Sequence, residues 1–103
     1  MRYIVKIRAS IEAGNAMVHD PEFGAKMQQM LKEINAEAAY FTTVDGQRGG
    51  YVVVNIDDAS QFPAIAEPWF QWWKADVEWI PVMVLEDLAK AGPAIGRAVK
   101  QYG

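Results

Sequence analysis

Lys6 and Arg8 stand two residues apart in a segment where apolar and charged residues alternate, so both side chains leave one face of a strand. Two cations in that arrangement suit an anionic group such as a carboxylate. With Tyr51, Trp79 and Met83 as apolar walls and Asn55 on the same face, they would form a pocket for a small aromatic or hydrophobic acid. The alternative is that Lys6 and Arg8 are solvated or paired with acids such as Glu78.

His19 is the only imidazole and the candidate catalytic residue, as a proton-transfer base or a haem ligand. Asp20 beside it is more simply a helix cap. There is no second histidine and no carboxylate cluster at ligand spacing, so no metal is expected and no cofactor is called for. The absence of cysteine excludes disulfides, a thiolate nucleophile and cysteine-held clusters. Ser10 and Ser60 lack a nucleophile context, and Ser60 reads as a cap.

Asp45 to Gly50 joins two strands and no Lys-Ser or Lys-Thr follows it, so it is a turn and not a phosphate loop. Arg48-Gly49-Gly50-Tyr51 keeps the basic-glycine-aromatic start of an RNA-binding strand but not its further aromatics. A net charge of -3 opposes a phosphate backbone, and nucleic acid is not expected as a partner. Charge is segregated: acids dominate from Asp57 to Asp87, and only bases follow, at Lys90, Arg97 and Lys100.

These residues need elements to position them. Tyr3 to Arg8 reads as a strand and Ser10 to His19 as a loop with room for a helical turn. Asp20-Pro21-Glu22 opens a helix whose Phe23, Met27, Met30, Leu31 and Ile34 form one stripe. Ala39 to Val44 and Tyr51 to Ile56 make a hairpin around Asp45 to Gly50. A second helix carries Phe62, Ile65, Trp69, Phe70 and Trp73, with a kink or break expected at Pro68. Four tryptophans fall between Trp69 and Trp79, more than one helix face can bury, so at least one is expected in a cleft or at a partner. Val77 to Leu85 is the last strand, placed at an edge by Pro81. The remainder reads as helix over Asp87 to Ala91 and Pro93 to Gln101, interrupted at Gly92-Pro93.

This order resembles the ferredoxin-like fold and, more closely, the dimeric α/β-barrel superfamily, over about residues 2 to 85. Asp57-Asp58 before the second helix, Pro68-Trp69 and Pro81-Val82 also resemble small bacterial proteins of unknown function. The resemblance implies an α+β domain, βαββαβ with a four-stranded antiparallel sheet whose first strand, carrying Lys6 and Arg8, is central, where long charged side chains do not serve to protect an exposed edge. It also implies a homodimer formed sheet against sheet, with the tryptophan-rich helix and the C-terminal segment contributing. One domain over residues 1–103 is expected, with a core of 2–85 and a C-terminal helical arm of 86–103, whose ordinary reading is a locally packed helix and whose alternative is an arm lying on a partner subunit. Function is read as binding of a small aromatic or hydrophobic acid. The alternatives are a cofactor-free isomerase or monooxygenase, a haem-binding enzyme using His19, or a purely structural dimer. No membrane span or export signal is visible, and a cytoplasmic location is expected.

Overall fold

A computed structural model describes all residues from 1 to 103. The chain runs β1 (Arg2–Arg8), α1 (Ile11–Val18), α2 (Phe23–Glu33), β2 (Ala38–Val44), β3 (Gln47–Asn55), α3 (Gln61–Trp73), β4 (Asp76–Val82) and α4 (Leu85–Tyr102). The strands form one antiparallel sheet in the order β2-β3-β1-β4, an α+β arrangement with the ferredoxin-like strand order. β1 is central and β4 lies at the edge, where Pro81 removes no ladder bond that a further strand would need.

One sheet face is packed and the other is open. Val5, Ile7, Val52 and Val54 are buried on the packed face, in one core with Met17 of α1, Met27 and Met30 of α2, and Trp69 and Trp73 of α3. The alternation of β1 and β3 accounts for this, since Tyr3, Val5 and Ile7 of β1 and Val52 and Val54 of β3 fall at every second position and are large enough to meet a helix.

Several local expectations are corrected. Ser10 to His19 is mostly helix and not a loop. The Ser10 hydroxyl accepts the Ala13 N–H at 3.0 Å, and burial of Gly14 and Met17 compensates for the poor helix propensity of Gly14 and Asn15. Asp20 does not cap α2 directly. Its Oδ1 accepts the Glu22 N–H at 2.8 Å and its Oδ2 pairs with Lys26 at 2.7 Å, an Asx turn that leads the chain into Phe23. The hairpin turn shrinks to Asp45-Gly46, both at positive φ, so Arg48, Gly49 and Gly50 belong to β3.

α3 continues through Pro68, because burial of Ile65, Ala66, Trp69 and Trp73 holds both halves on the sheet despite the missing N–H. β4 ends at Val82, three residues short of the expected Leu85. α4 runs unbroken through Gly92-Pro93, with Asp87 Oδ2 accepting the Val84 N–H at its start.

Arg2 holds Glu37 through two bonds, Nε to Oε2 at 2.8 Å and Nη2 to Oε1 at 3.0 Å. That pairing lowers the Glu37 carboxyl below its ordinary range, and the Lys26 ammonium with the Glu22 N–H does the same for Asp20. A folded-state value below the unfolded one contributes stability that is present above the unfolded value and lost as pH falls through the folded one. Urea midpoints measured downward from pH 6 should therefore fall on the acid side of about pH 4. The slope should be shallower in Glu37→Gln, and an unchanged slope would remove Glu37 from the acid response.

Candidate functional site

The open face carries Arg2, Ile4, Lys6 and Arg8 from β1, with Tyr51, Val53 and Asn55 opposite on β3 and Asp76, Glu78 and Ile80 opposite on β4. Ile4, Tyr51, Val53 and Ile80 at its middle are only half-buried. Lys6 Nζ lies 3.1 Å from Asp45 Oδ2 and 3.7 Å from Glu78 Oε2, while Arg8 places Nη2 2.8 Å from Asp76 Oδ2. Asp45, in hydrogen-bonding range, raises the Lys6 ammonium above its ordinary value, with Glu78 adding to the effect. Lys6 and Arg8 share a shallow cleft of about 260 Å³ with those three carboxylates, so an incoming anion would meet an excess of negative charge there.

Of the other residues singled out in the sequence, Tyr51 stands directly opposite Lys6 and the rest do not gather around Lys6 and Arg8. Trp79 lies on the packed face opposite Val5, edge-on to Tyr3 at 5.5 Å and to Phe62 at 4.6 Å between ring centroids. Met83 falls beyond the end of β4 and is exposed. Asn55 is at the far end of β3, where its Oδ1 accepts a hydrogen bond from Met1 N at 2.9 Å. His19 is exposed at the C-terminal end of α1.

A second concavity lies on the packed face, between α1, α2 and the β2–β3 hairpin. It encloses about 510 Å³, within the roughly 300–1,000 Å³ usual for ligand sites. Met17, Phe23, Met27, Phe41 and Trp73 supply apolar walls, and Arg48 is its one charged side chain. Met17, Met27 and Trp73 are buried and fixed, whereas Val18 and Phe41 are 63% and 54% exposed and form the mouth. The indole N–H of Trp73 has no hydrogen-bond acceptor in the protein.

Arg48 reaches this cavity because it shares a face with Gly50, Val52 and Val54. Gly50 lacks a side chain, which lets the ring of Phe41 lean across it. Gly14 allows the close approach of Arg48: a Cβ there would fall 2.9 Å from Nη1 and 3.2 Å from Cδ. The guanidinium donates to Asn15 Oδ1 at 3.0 Å and pairs with no carboxylate. Unlike Lys6 and Arg8, it thus carries a charge that is not already matched by an acid. A fixed apolar wall with one unmatched planar cation at its rim suits a ligand with an apolar body and one anionic group.

Reading the sequence for Lys6 and Arg8 missed Arg48. The signal was present: once Val52 and Val54 are assigned to the helices, stepping back by twos reaches Gly50 and Arg48. Treating Asp45 to Gly50 as one loose turn stopped that count four residues too early. His19 does not line this cavity, and no group of three His, Cys, Asp or Glu side chains is placed to hold a metal.

Residues 1–96 match the family model described as Domain of unknown function (DUF3303). No curated protein matches the chain.

Proposed function

Since the chain belongs to the DUF3303 family, a description that carries no chemistry, we propose a function from the geometry: a homodimeric protein that binds a small aromatic or hydrophobic acid in the cavity beside Arg48. The observation that carries this reading is an apolar cavity of about 510 Å³ whose single charge has no acidic partner. The acid group would take the Nη atoms of Arg48, and the apolar body would lie against Phe41 and Trp73. The open sheet face is given a different role. Its apolar middle, flanked by the Arg2, Lys6 and Arg8 ion pairs, suits packing against the same face of a second copy, as in a dimeric α/β barrel.

Trp73 provides a reporter. Titration with a naphthoate should quench tryptophan emission in a saturable way, and Arg48→Gln should weaken that binding by roughly tenfold to a hundredfold, the worth of one hydrogen bond to a charged group. The neutral naphthamide should bind both proteins alike. Gly14→Ala should also weaken the naphthoate by displacing Nη1, even though alanine raises helix propensity in α1 by up to about 1 kcal/mol. Lys6→Gln and Arg8→Gln should bind as the parent does. A loss confined to the Lys6 or Arg8 variants would move the site to the open face, and no saturable quenching by the naphthoate would end the proposal.

A further inference from the structure

α4 is the longest helix, and none of its residues is buried. Its composition is nevertheless that of a packing helix. Leu85, Leu88, Ala91, Ile95, Val99 and Tyr102 fall at spacings of three and four and make one apolar stripe, while Glu86, Lys90, Arg97 and Lys100 occupy the opposite side. Ile95 and Val99 are 51% and 63% exposed. The helix projects from the rest of the molecule, giving a radius of gyration of 17.2 Å where roughly 13 Å is usual for a chain of this length, and extents of 58 × 27 × 21 Å. A helix of 18 residues spans about 27 Å, which accounts for much of the long dimension.

We infer that α4 is an exchanged arm whose apolar stripe packs on the body of a second copy of this chain. The inference rests on the homodimer proposed above and adds where its stability comes from. Charge favours that occupant. Residues 85–103 hold three bases and two acids, net +1, so the rest of the chain carries -4 of the -3 total. The two acids sit in the first turn beside their own body, where Glu37 chiefly and Asp87 in addition raise Arg2, and the bases sit along the projecting part. The projecting arm is therefore basic and the body it would meet is acidic.

Area favours it as well. Four strands at about 4.8 Å and seven residues at about 3.3 Å give the open face a footprint of roughly 400 Å². Pairing of the faces alone therefore falls short of the roughly 800 Å² per partner of a stable interface. An arm about 27 Å long with a contact strip roughly 10 Å wide buries about 270 Å² on itself and as much on the body that receives it, so a reciprocal exchange adds about 540 Å² per copy and closes the gap.

The test is sedimentation velocity on the full chain and on Leu88→Lys/Ile95→Lys, whose changed side chains are not part of the core. The parent should be a dimer at low micromolar concentration, and the double variant should dissociate about a hundredfold more readily while keeping its circular dichroism and naphthoate binding. A dimeric parent with an equally dimeric variant would overturn the arm and leave the paired sheet faces standing. A monomeric parent would overturn both, and a monomer that binds anionic lipid vesicles through α4 would assign the stripe to a membrane surface instead. Because the chain has no cysteine, Ile95→Cys gives a clean further check: a rapid disulfide between the two introduced thiols would mean that the arms pair with each other and not with the bodies.

Discussion

Trp69→Ala should lower the stability of the fold by roughly 4 kcal/mol, the cost of removing a large buried aromatic and leaving a cavity. Trp69 is fully buried in α3, and its ring meets Trp73 edge-on at 5.0 Å between centroids. It lies in one core with Val5, Val54 and Met30. For a domain of this size a loss of that order corresponds to a fall in melting temperature of about 15–30 °C, measurable by thermal circular dichroism. Trp69→Phe should cost far less, about 1 kcal/mol. The indole N–H of Trp69 is buried with no acceptor, and deleting that group recovers part of what the smaller ring loses. Equal losses in the two variants would mean that the N–H is satisfied by something other than the protein, such as a buried water.

Gly49→Ala should be nearly as damaging, at roughly 3 kcal/mol, for a steric reason. Gly49 sits in β3 with Arg8 on one side and Thr42 on the other. A Cβ there would fall on the carbonyl oxygen of Ile7 and 2.9 Å from Cγ2 of Val44. The first obstacle is backbone of the central strand and cannot rotate away, so the sheet itself must shift. Gly24→Ala is the matched control: it lies in α2 with nothing within 4 Å, and alanine there should be neutral or stabilising by up to about 1 kcal/mol. Urea denaturation of the pair reads the difference directly. A Gly49→Ala midpoint equal to that of Gly24→Ala would mean that β1 and β3 are not held this closely.

The order of elements was legible because most of the apolar patterns were unambiguous. β1 alternates with period two and α2 carries a single stripe, so strand, helix and the buried face of each follow from residue spacing alone. β4 was not legible in this way. Val77 and Trp79 are apolar at odd positions and Ile80 and Val82 at even ones, so spacing does not decide which set faces the helices. Pairing of Lys6 with Glu78 decides it, and that sends Trp79 inward.

The candidate site was less legible than the fold. Lys6 and Arg8 drew notice as charges on a central strand, but their partners Asp45, Glu78 and Asp76 come from a turn and an edge strand distant in sequence. Whether a cation is free or matched depends on distances that no spacing within one strand contains. Arg48 is the converse case. It lies in what read as a turn, and its role depends on α1, itself misread as a loop because Gly14 and Asn15 are poor helix formers.

By itself the sequence determined the α+β class, the four strands, the main helices and the edge place of β4, because these rest on local periodicity and on what proline and glycine permit; the central place of β1 followed only from the resemblance to the ferredoxin-like fold. Tertiary structure alone decided which cations are neutralised, which face Trp79 takes, that α1, α2 and the hairpin enclose a cavity around Arg48, and that α4 leaves its apolar stripe uncovered. Each of those is a relation between segments far apart in the chain, set by cross-strand pairing and side-chain packing, and neither is written in the spacing of neighbours.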